Sequence, residues 1–179
     1  MTRLALLPIL LVFACIVAGA YGAIHDQISY TVAPSYYHDF KFTQFAIDPT
    51  LHNRLGASIV GWNATWWMGL LIGLPLYIAG LFIRENDEFC RQYIRAAILV
   101  VSTALLIGLA ALAFAFVSID EHHLPTWMAG RPVSDPVAFA RAGTMHNYSY
   151  IGGFVGLLLA LGSMIMAARK SQDPAKAIR

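Results

Sequence analysis

The sequence predicts an all-α integral membrane protein with four transmembrane helices in an antiparallel bundle. Of its 179 residues, 58% are hydrophobic and only 12% are charged, a balance that is not typical of soluble domains. The apolar residues form four runs, and each is long enough to cross the ~30 Å hydrocarbon core of a bilayer as a helix. With flanking helical residues included, we expect one membrane domain with spans at residues 4–23, 49–83, 95–119 and 145–168.

The positive charges predict the orientation of these spans. If both termini lie in the cytoplasm, the inside segments carry eight Lys and Arg residues and the outside segments carry four, which is the bias expected of inside loops. We therefore expect a bacterial inner-membrane protein with outside segments at 24–48 and 120–144 and a cytoplasmic tail at 169–179. The lipid bilayer is its first partner, and a net charge of +2 gives no reason to expect nucleic acid.

The first span resembles a secretory signal peptide. Arg3 precedes an apolar stretch that ends in the small residues Ala18, Gly19 and Ala20, which suit a cleavage site. The apolar run nevertheless continues to Ala23 and reaches a full membrane length, which favours a retained helix. Cleavage is the alternative, and it would leave the orientation of the other three spans unchanged.

The second span is expected to begin outside the membrane. Asp48 suits a helix N-cap and Pro49 suits the first helical position. A continuous helix from there to residue 83 would be roughly 50 Å long, so about three turns carrying His52 and Asn53 would project beyond the bilayer.

Each outside segment is expected to carry a short surface helix. Residues 28–32 are rich in β-branched side chains and predict an extended stretch, and the aromatic residues 36–45 predict a helix lying on the membrane surface. In the second segment, Asp135 and Pro136 predict a short helix over 136–142 that Gly143 ends.

Two pairs of small residues predict close helix packing. Gly69 and Gly73 lie four residues apart in the second span, and Gly152 and Gly156 repeat this spacing in the fourth. These faces can pack within the bundle or against another molecule. One functional hypothesis is therefore a non-catalytic accessory or scaffold subunit, with other membrane subunits or a second copy of this chain as its partner.

The other hypothesis is a metal or haem site at the outer end of the bundle. All six histidines fall in the outside parts of the predicted topology, most of them where a span ends. Imidazole and carboxylate ligands suit Zn, Fe or Cu. The candidate ligands are His25, His52, Glu121, His122 and His146, and the candidate hydrogen-bonding partners of the ligand rings are Asp26, Asn53, Asp120 and Asn147.

The sequence excludes several specific activities. Cys15 and Cys90 are isolated, so there is no paired-thiol motif. The histidine boxes of membrane desaturases, the HExxH zinc motif and the GxSxG nucleophile motif are also missing. An open coordination position would make a metal site catalytic and a closed one structural, and the sequence leaves both open.

Overall fold

The computed structural model describes residues 2–172, in which every regular element is helical. The long helices are α1 (Arg3–Val32), α2 (Arg54–Thr65), α3 (Met68–Gly80), α4 (Asn86–Ser118) and α5 (Pro136–Gln172). Three of them, α1, α4 and α5, are long and apolar enough to cross a membrane, and α2 with α3 forms a bent fourth candidate. The fold is therefore that of an all-helical protein with three to four candidate membrane spans.

Helix α1 extends beyond the predicted first span. The expected extended stretch at 28–32 is wrong, because the helix continues to Val32. The hydroxyl of Thr31 donates to the Gln27 carbonyl one turn earlier, and the buried Ser29 pairs with the Tyr37 hydroxyl at 2.6 Å. Tertiary packing here overrides the preference of β-branched residues for strands.

The second span is not one continuous helix. Asp48 caps only a single 3-10 turn, Pro49–Leu51, and the side chain of Asn53 then accepts from two backbone N–H groups to start α2. A further break separates α2 from α3, with a bend of 41°. His52 consequently lies in a turn and not on a long rigid helix.

The aromatic segment, residues 34–44, is helical, as predicted for residues 36–45. It consists of Pro34–Tyr36, a π-helical turn Tyr37–Lys41 and Phe42–Gln44. Tyr36, Tyr37 and Phe42 are buried, since they pack into a core near the C-terminal end of α1. The sequence did not predict that these three rings are buried in the protein, because composition alone does not distinguish an interfacial aromatic from a buried one.

Helix α5 starts earlier than the predicted fourth span. Asp135 does cap it, accepting from the Ala138 N–H at 2.9 Å, but Gly143 does not end a separate short helix. The helix continues through Gly143 to Gln172, and Gly143 instead makes room for the Trp127 ring, which a Cβ there would meet at 2.6 Å.

Two hydrophobic cores hold the helices together. The first core joins α1, α3 and α4 to the C-terminal half of α5, and it includes Leu10, Leu76 and Met164. The second core joins the aromatic segment to the N-terminal half of α5, and it includes Tyr37 and Phe139. Along α1 and α5, the interval between these cores contains buried polar side chains.

Glycines allow the closest helix contacts. A Cβ on Gly152 or Gly156 would lie 2.9 Å from the backbone of α4, at Ala104 and Val100 respectively, and a Cβ on Gly69 would meet the backbone of Cys15. On Gly73 it would meet the Tyr93 hydroxyl. At the start of α1, Arg3 donates to backbone carbonyls at the end of α3 and just beyond it, including those of Gly80 and Arg84.

Candidate metal centre

Three side chains of metal-ligand type meet in the polar interval between the two cores. His25 and Asp26 come from α1 and His146 comes from α5, and one ligand atom from each lies within 4.8 Å of the other two. All three residues are buried, with exposed fractions of 4%, 3% and 9%. Within residues 2–172 this is the one group of three or more metal-ligating side chains with such spacing.

The distances between the donors suit a single ion. Oδ1 of Asp26 lies 3.1 Å from Nδ1 of His25 and 3.8 Å from Nε2 of His146. Metal–ligand bonds of about 2.0–2.2 Å place neighbouring ligand atoms roughly 3–3.5 Å apart. The imidazole rings are nearly perpendicular, with centroids 4.6 Å apart. Small rotations of these side chains would therefore complete a three-ligand site.

Hydroxyl groups fix the orientation of both rings. Nε2 of His25 lies 3.0 Å from Oγ of Ser149, and Nε2 of His146 lies 3.1 Å from Oγ of Ser29. The Tyr37 hydroxyl contacts Ser29 and donates to the main-chain carbonyl of Asp26 at 3.2 Å. The groups that orient the histidines are thus serines and a tyrosine.

The sequence contained a signal for these serines. Ser29 follows Asp26 by three positions and His25 by four, and Ser149 follows His146 by three. Residues with these spacings share one face of a helix. The signal is weak by itself, because serine is common where helices meet, and the pairing of the two faces is visible only in the structure.

Lys41 lies next to this cluster. Its ammonium group donates to Oε1 of Gln44 at 3.0 Å and lies over the rings of Tyr36 and Phe40, at 5.6 and 5.0 Å from their centroids. Burial lowers the pKa of Lys41, while the negative charge of Asp26 acts in the opposite direction. The Tyr36 ring also stacks on His146, with centroids 4.9 Å apart.

A small cavity adjoins the three donors. Its volume is about 70 Å³, and besides His25, Asp26 and His146 it borders mostly apolar residues of α2, α3 and α4. One water molecule needs about 10–15 Å³ of such a cavity, so a few water molecules fit. The Tyr21 hydroxyl belongs to the cavity wall and is buried without a hydrogen bond of normal geometry to any described residue.

The other predicted ligands lie elsewhere. Nε2 of His52 is 3.0 Å from the Ile47 carbonyl, and its ring stacks on Phe42 at 4.5 Å. Glu121 and His122 are exposed on the connection that follows α4. None of the three belongs to the cluster of His25, Asp26 and His146. His52 precedes the first residue of α2 and therefore lies in a turn. Because α4 ends at Ser118, Glu121 and His122 lie in a loop.

The predicted partners of the ligand rings also have different surroundings. Asn53 caps α2, and Asp120 accepts from the backbone N–H groups of His122 and His123. Asn147 is exposed beside His146. Asp26, expected to support a ligand, instead supplies the carboxylate of the cluster itself.

Comparison with known proteins does not extend this description. No protein-family model, curated protein or solved structure is significantly similar to the chain.

Proposed function

We propose that this protein is a small membrane metalloprotein that binds one transition-metal ion through His25, Asp26 and His146. The observation that supports this proposal is the buried meeting of two imidazoles and one carboxylate from the first and the last long helix. A buried carboxylate is costly unless a positive partner compensates it. Ionisable groups placed inside membrane helix bundles are usually functional.

The donor set favours some metals over others. Two imidazoles and one carboxylate suit Fe, Zn or Cu better than Ca²⁺ or Mg²⁺, which prefer shells of oxygen ligands. Three protein ligands leave positions open, as in catalytic sites. A metal bound there would supply Lewis acidity or an acidified water. Ser149 bonds to Nε2 of His25 and so leaves Nδ1 of that ring for the metal, whereas the contact of Ser29 with Nε2 of His146 would open when that nitrogen binds the metal. Haem fits less well, because rings 4.6 Å apart leave no space for a macrocycle between them.

Elemental analysis of the purified protein tests the metal site. We expect about one metal ion per chain in the wild type after gentle purification or reconstitution with Fe, Zn or Cu, and loss of this metal in His25→Ala and His146→Ala. His52→Ala is the matched control, because His52 bonds to the Ile47 carbonyl away from the cluster. A wild type that never takes up stoichiometric metal would refute the proposal, as would equal losses in all three variants.

A second candidate function is acyl transfer by Ser149. The chain of contacts from Ser149 Oγ to His25 Nε2 (3.0 Å) and from His25 Nδ1 to Asp26 Oδ1 (3.1 Å) matches the order of a serine hydrolase triad. The support is weaker, since Ser149 lies within the continuous helix α5, whose backbone N–H groups are engaged in the helix and cannot stabilise an oxyanion. Labelling by a fluorophosphonate in the wild type and not in Ser149→Ala would favour this candidate over the metal site.

We also propose the membrane topology in which α2 and α3 form one bent span and both termini lie in the cytoplasm of a bacterium, in its inner membrane. The supporting observation is the charge bias: the segments that would face the cytoplasm carry eight Lys and Arg residues, and those that would face outward carry only four, Lys41 and Arg131 among them. Thiol labelling from outside the cell tests it, with Cys15 and Cys90 replaced by Ser. Ser134→Cys should react and Lys170→Cys should not; the reverse pattern would contradict this topology.

The accessory or scaffold role is the competing functional class. Many large apolar side chains on the helices are exposed in the single chain, among them Phe114, Val117 and Phe154, and lipid, another subunit or a second copy can cover them. A protein that co-purifies with a stoichiometric partner in mild detergent and contains no metal would favour this class. A metal-loaded monomer without a partner would count against it.

A further inference from the structure

A second, wider cavity leads from the outer surface to His146. It has a volume of about 300 Å³ and lies between the aromatic segment, the Thr126–Met128 turn and the first turns of α5. Aromatic rings form much of its wall, including those of Tyr36, Trp127 and Phe139. Two cationic side chains, Lys41 and Arg131, border it, and no carboxylate does. The cavity is thus positively charged and bounded by apolar rings.

Lys41 has donor capacity that its surroundings do not use. The ammonium group has three N–H donors, and its hydrogen bond to a side chain goes to the neutral amide of Gln44. No ion pair joins it to a carboxylate within the described part of the chain, although the residue is only 9% exposed. A buried cation with neutral and aromatic neighbours favours an anionic ligand.

The wider cavity and the small cavity at the metal centre share part of their walls. Lys41, His146 and Tyr150 border both. The small cavity is apolar away from the cluster, with Met68, Ile72 and Val100 in its wall. Tyr150, which borders both cavities, is itself half-exposed at the surface of α5. A ligand that enters through the wider cavity contacts Lys41 and Arg131 first and the apolar wall of the small cavity next.

We propose that these cavities bind an amphiphilic anion, whose carboxylate or phosphate head contacts Lys41 and Arg131 beside His146 and whose apolar chain passes Tyr150 toward the bilayer. This inference rests on the proposed function, because it names the class of molecule that binds beside the proposed metal ion. A divalent ion, one carboxylate and the Lys41 ammonium together leave a net charge of two positive units, which an anionic ligand reduces.

Three probes distinguish the possible ligands. Native mass spectrometry of the full chain in a non-ionic detergent measures binding of palmitate, of hexadecanol, which has the same chain without the charge, and of acetate, which has the charge without the chain. We expect one palmitate per protein and at least about tenfold weaker binding of the other two, as expected for losing a charge-assisted contact or the apolar burial. If hexadecanol bound as tightly as palmitate, the negative charge would not be needed. If acetate bound as tightly as palmitate, the apolar chain would not be needed. Either result would overturn the proposal.

Variants locate the bound head. Lys41→Gln should weaken palmitate binding about tenfold, and Lys41→Arg should restore most of it. Arg131→Gln, at an exposed position that does not threaten folding, should weaken it about threefold. Lys170→Gln is the matched control, an exposed lysine at the other end of α5, and should change nothing. Unchanged binding in both Lys41→Gln and Arg131→Gln would overturn the proposal.

Metal content separates this inference from the proposed function. The same samples are analysed for metal and for bound palmitate. Palmitate bound without stoichiometric metal would refute the metal site and leave the anion cavity supported, whereas metal without palmitate would refute the anion cavity alone.

Discussion

The Nε2 atom of His146 lies 3.8 Å from the Oδ1 atom of Asp26, so the last long helix meets the first through a histidine and a carboxylate inside the molecule. Among the described residues, Asp26 is the one buried acidic side chain. Its negative charge can be compensated by the two neighbouring imidazoles and, from further away, by Lys41. The first prediction concerns this carboxylate.

Replacing Asp26 by Asn should separate metal binding from folding. The amide has the shape of the carboxylate but not its charge, so the metal-free variant should melt at the same temperature as the wild type or higher. Added Zn²⁺ or Fe²⁺ should raise the melting temperature of the wild type, since a ligand at 100 times its dissociation constant stabilises by about 2.7 kcal/mol. Asp26→Asn should show no such rise.

Thermal unfolding with and without metal measures this difference. Glu121→Gln is the matched control, because Glu121 is exposed in a loop outside the cluster, and it should respond to metal as the wild type does. An equal metal-induced rise in Asp26→Asn would contradict the role of the carboxylate as a ligand.

Asp39 should make the stability of the contact between the aromatic segment and the loop before α5 depend on pH. Its Oδ2 atom accepts from the backbone N–H and the hydroxyl of Ser134, both at 2.7 Å, and these bonds lower the pKa of Asp39. Because the folded-state pKa lies below the unfolded value of 3.8, the stabilisation is fully present above that value and is lost as the pH falls through the folded-state pKa. Asp39→Asn should flatten the decline in melting temperature between about pH 5 and pH 2.

Melting curves of the wild type and Asp39→Asn across this range test the linkage. Ser134→Ala removes only the hydroxyl and should give a partial effect, since the backbone donor remains. Parallel curves for the wild type and Asp39→Asn would show that the carboxylate contributes nothing to this pH dependence.

Arg3 should anchor the start of α1 to the end of α3. Its guanidinium group donates to the carbonyls of Gly80 (3.2 Å) and Arg84 (2.6 Å) and lies 5.1 Å from the centroid of the Phe89 ring. Arg3→Ala leaves carbonyls at the end of α3 without this donor, and we expect a loss of about 1–2 kcal/mol. Arg169→Ala, at an exposed position near the end of α5, should cost less than about 0.5 kcal/mol. Equal melting temperatures for both variants would contradict the anchor.

The close contact of α5 with α4 should depend on Gly156. A Cβ at this position would lie 2.9 Å from the Cα atom of Val100, so Gly156→Ala should push the helices apart at a cost of about 1–3 kcal/mol. Gly162 offers a matched control on the same helix, because a Cβ there has no heavy atom within 4 Å. Gly162→Ala should be neutral or stabilising by up to about 1 kcal/mol. Denaturation in detergent compares the two, and a smaller loss for Gly156→Ala than for Gly162→Ala would contradict this packing.

The sequence predicted the helical character of the long elements but not all of their ends. Run length and apolar composition are local properties, and they located the cores of α1, α4 and α5. The end of α1 at Val32 was missed because the Ser29–Tyr37 contact that stabilises it comes from another segment. The break at Trp66 and Trp67 contains no proline or glycine that would mark it in the sequence.

The sequence predicted the kinds of side chain in the candidate site, histidine and carboxylate, but it identified only some of the residues. His25 and His146 were among the expected ligands, and the structure brings them together with Asp26. His52 was placed with them because a continuous helix would have carried it past the membrane, whereas the turn before α2 directs it to Phe42 and the Ile47 carbonyl. Ser149 contacts His25 because α5 packs on α1, and the sequence does not reveal this packing.

The sequence by itself determined that this chain forms long apolar helices and that its histidines gather toward one end of them. Both properties follow from the order of residue types along the chain. Only the tertiary structure decided that His25, Asp26 and His146 meet while His52, Glu121 and His122 do not. That choice depends on the rotation of each helix about its axis and on where each helix breaks. A change of one residue in helical phase turns a side chain by about 100°, so contacts between distant helices are set by packing and not by position in the sequence.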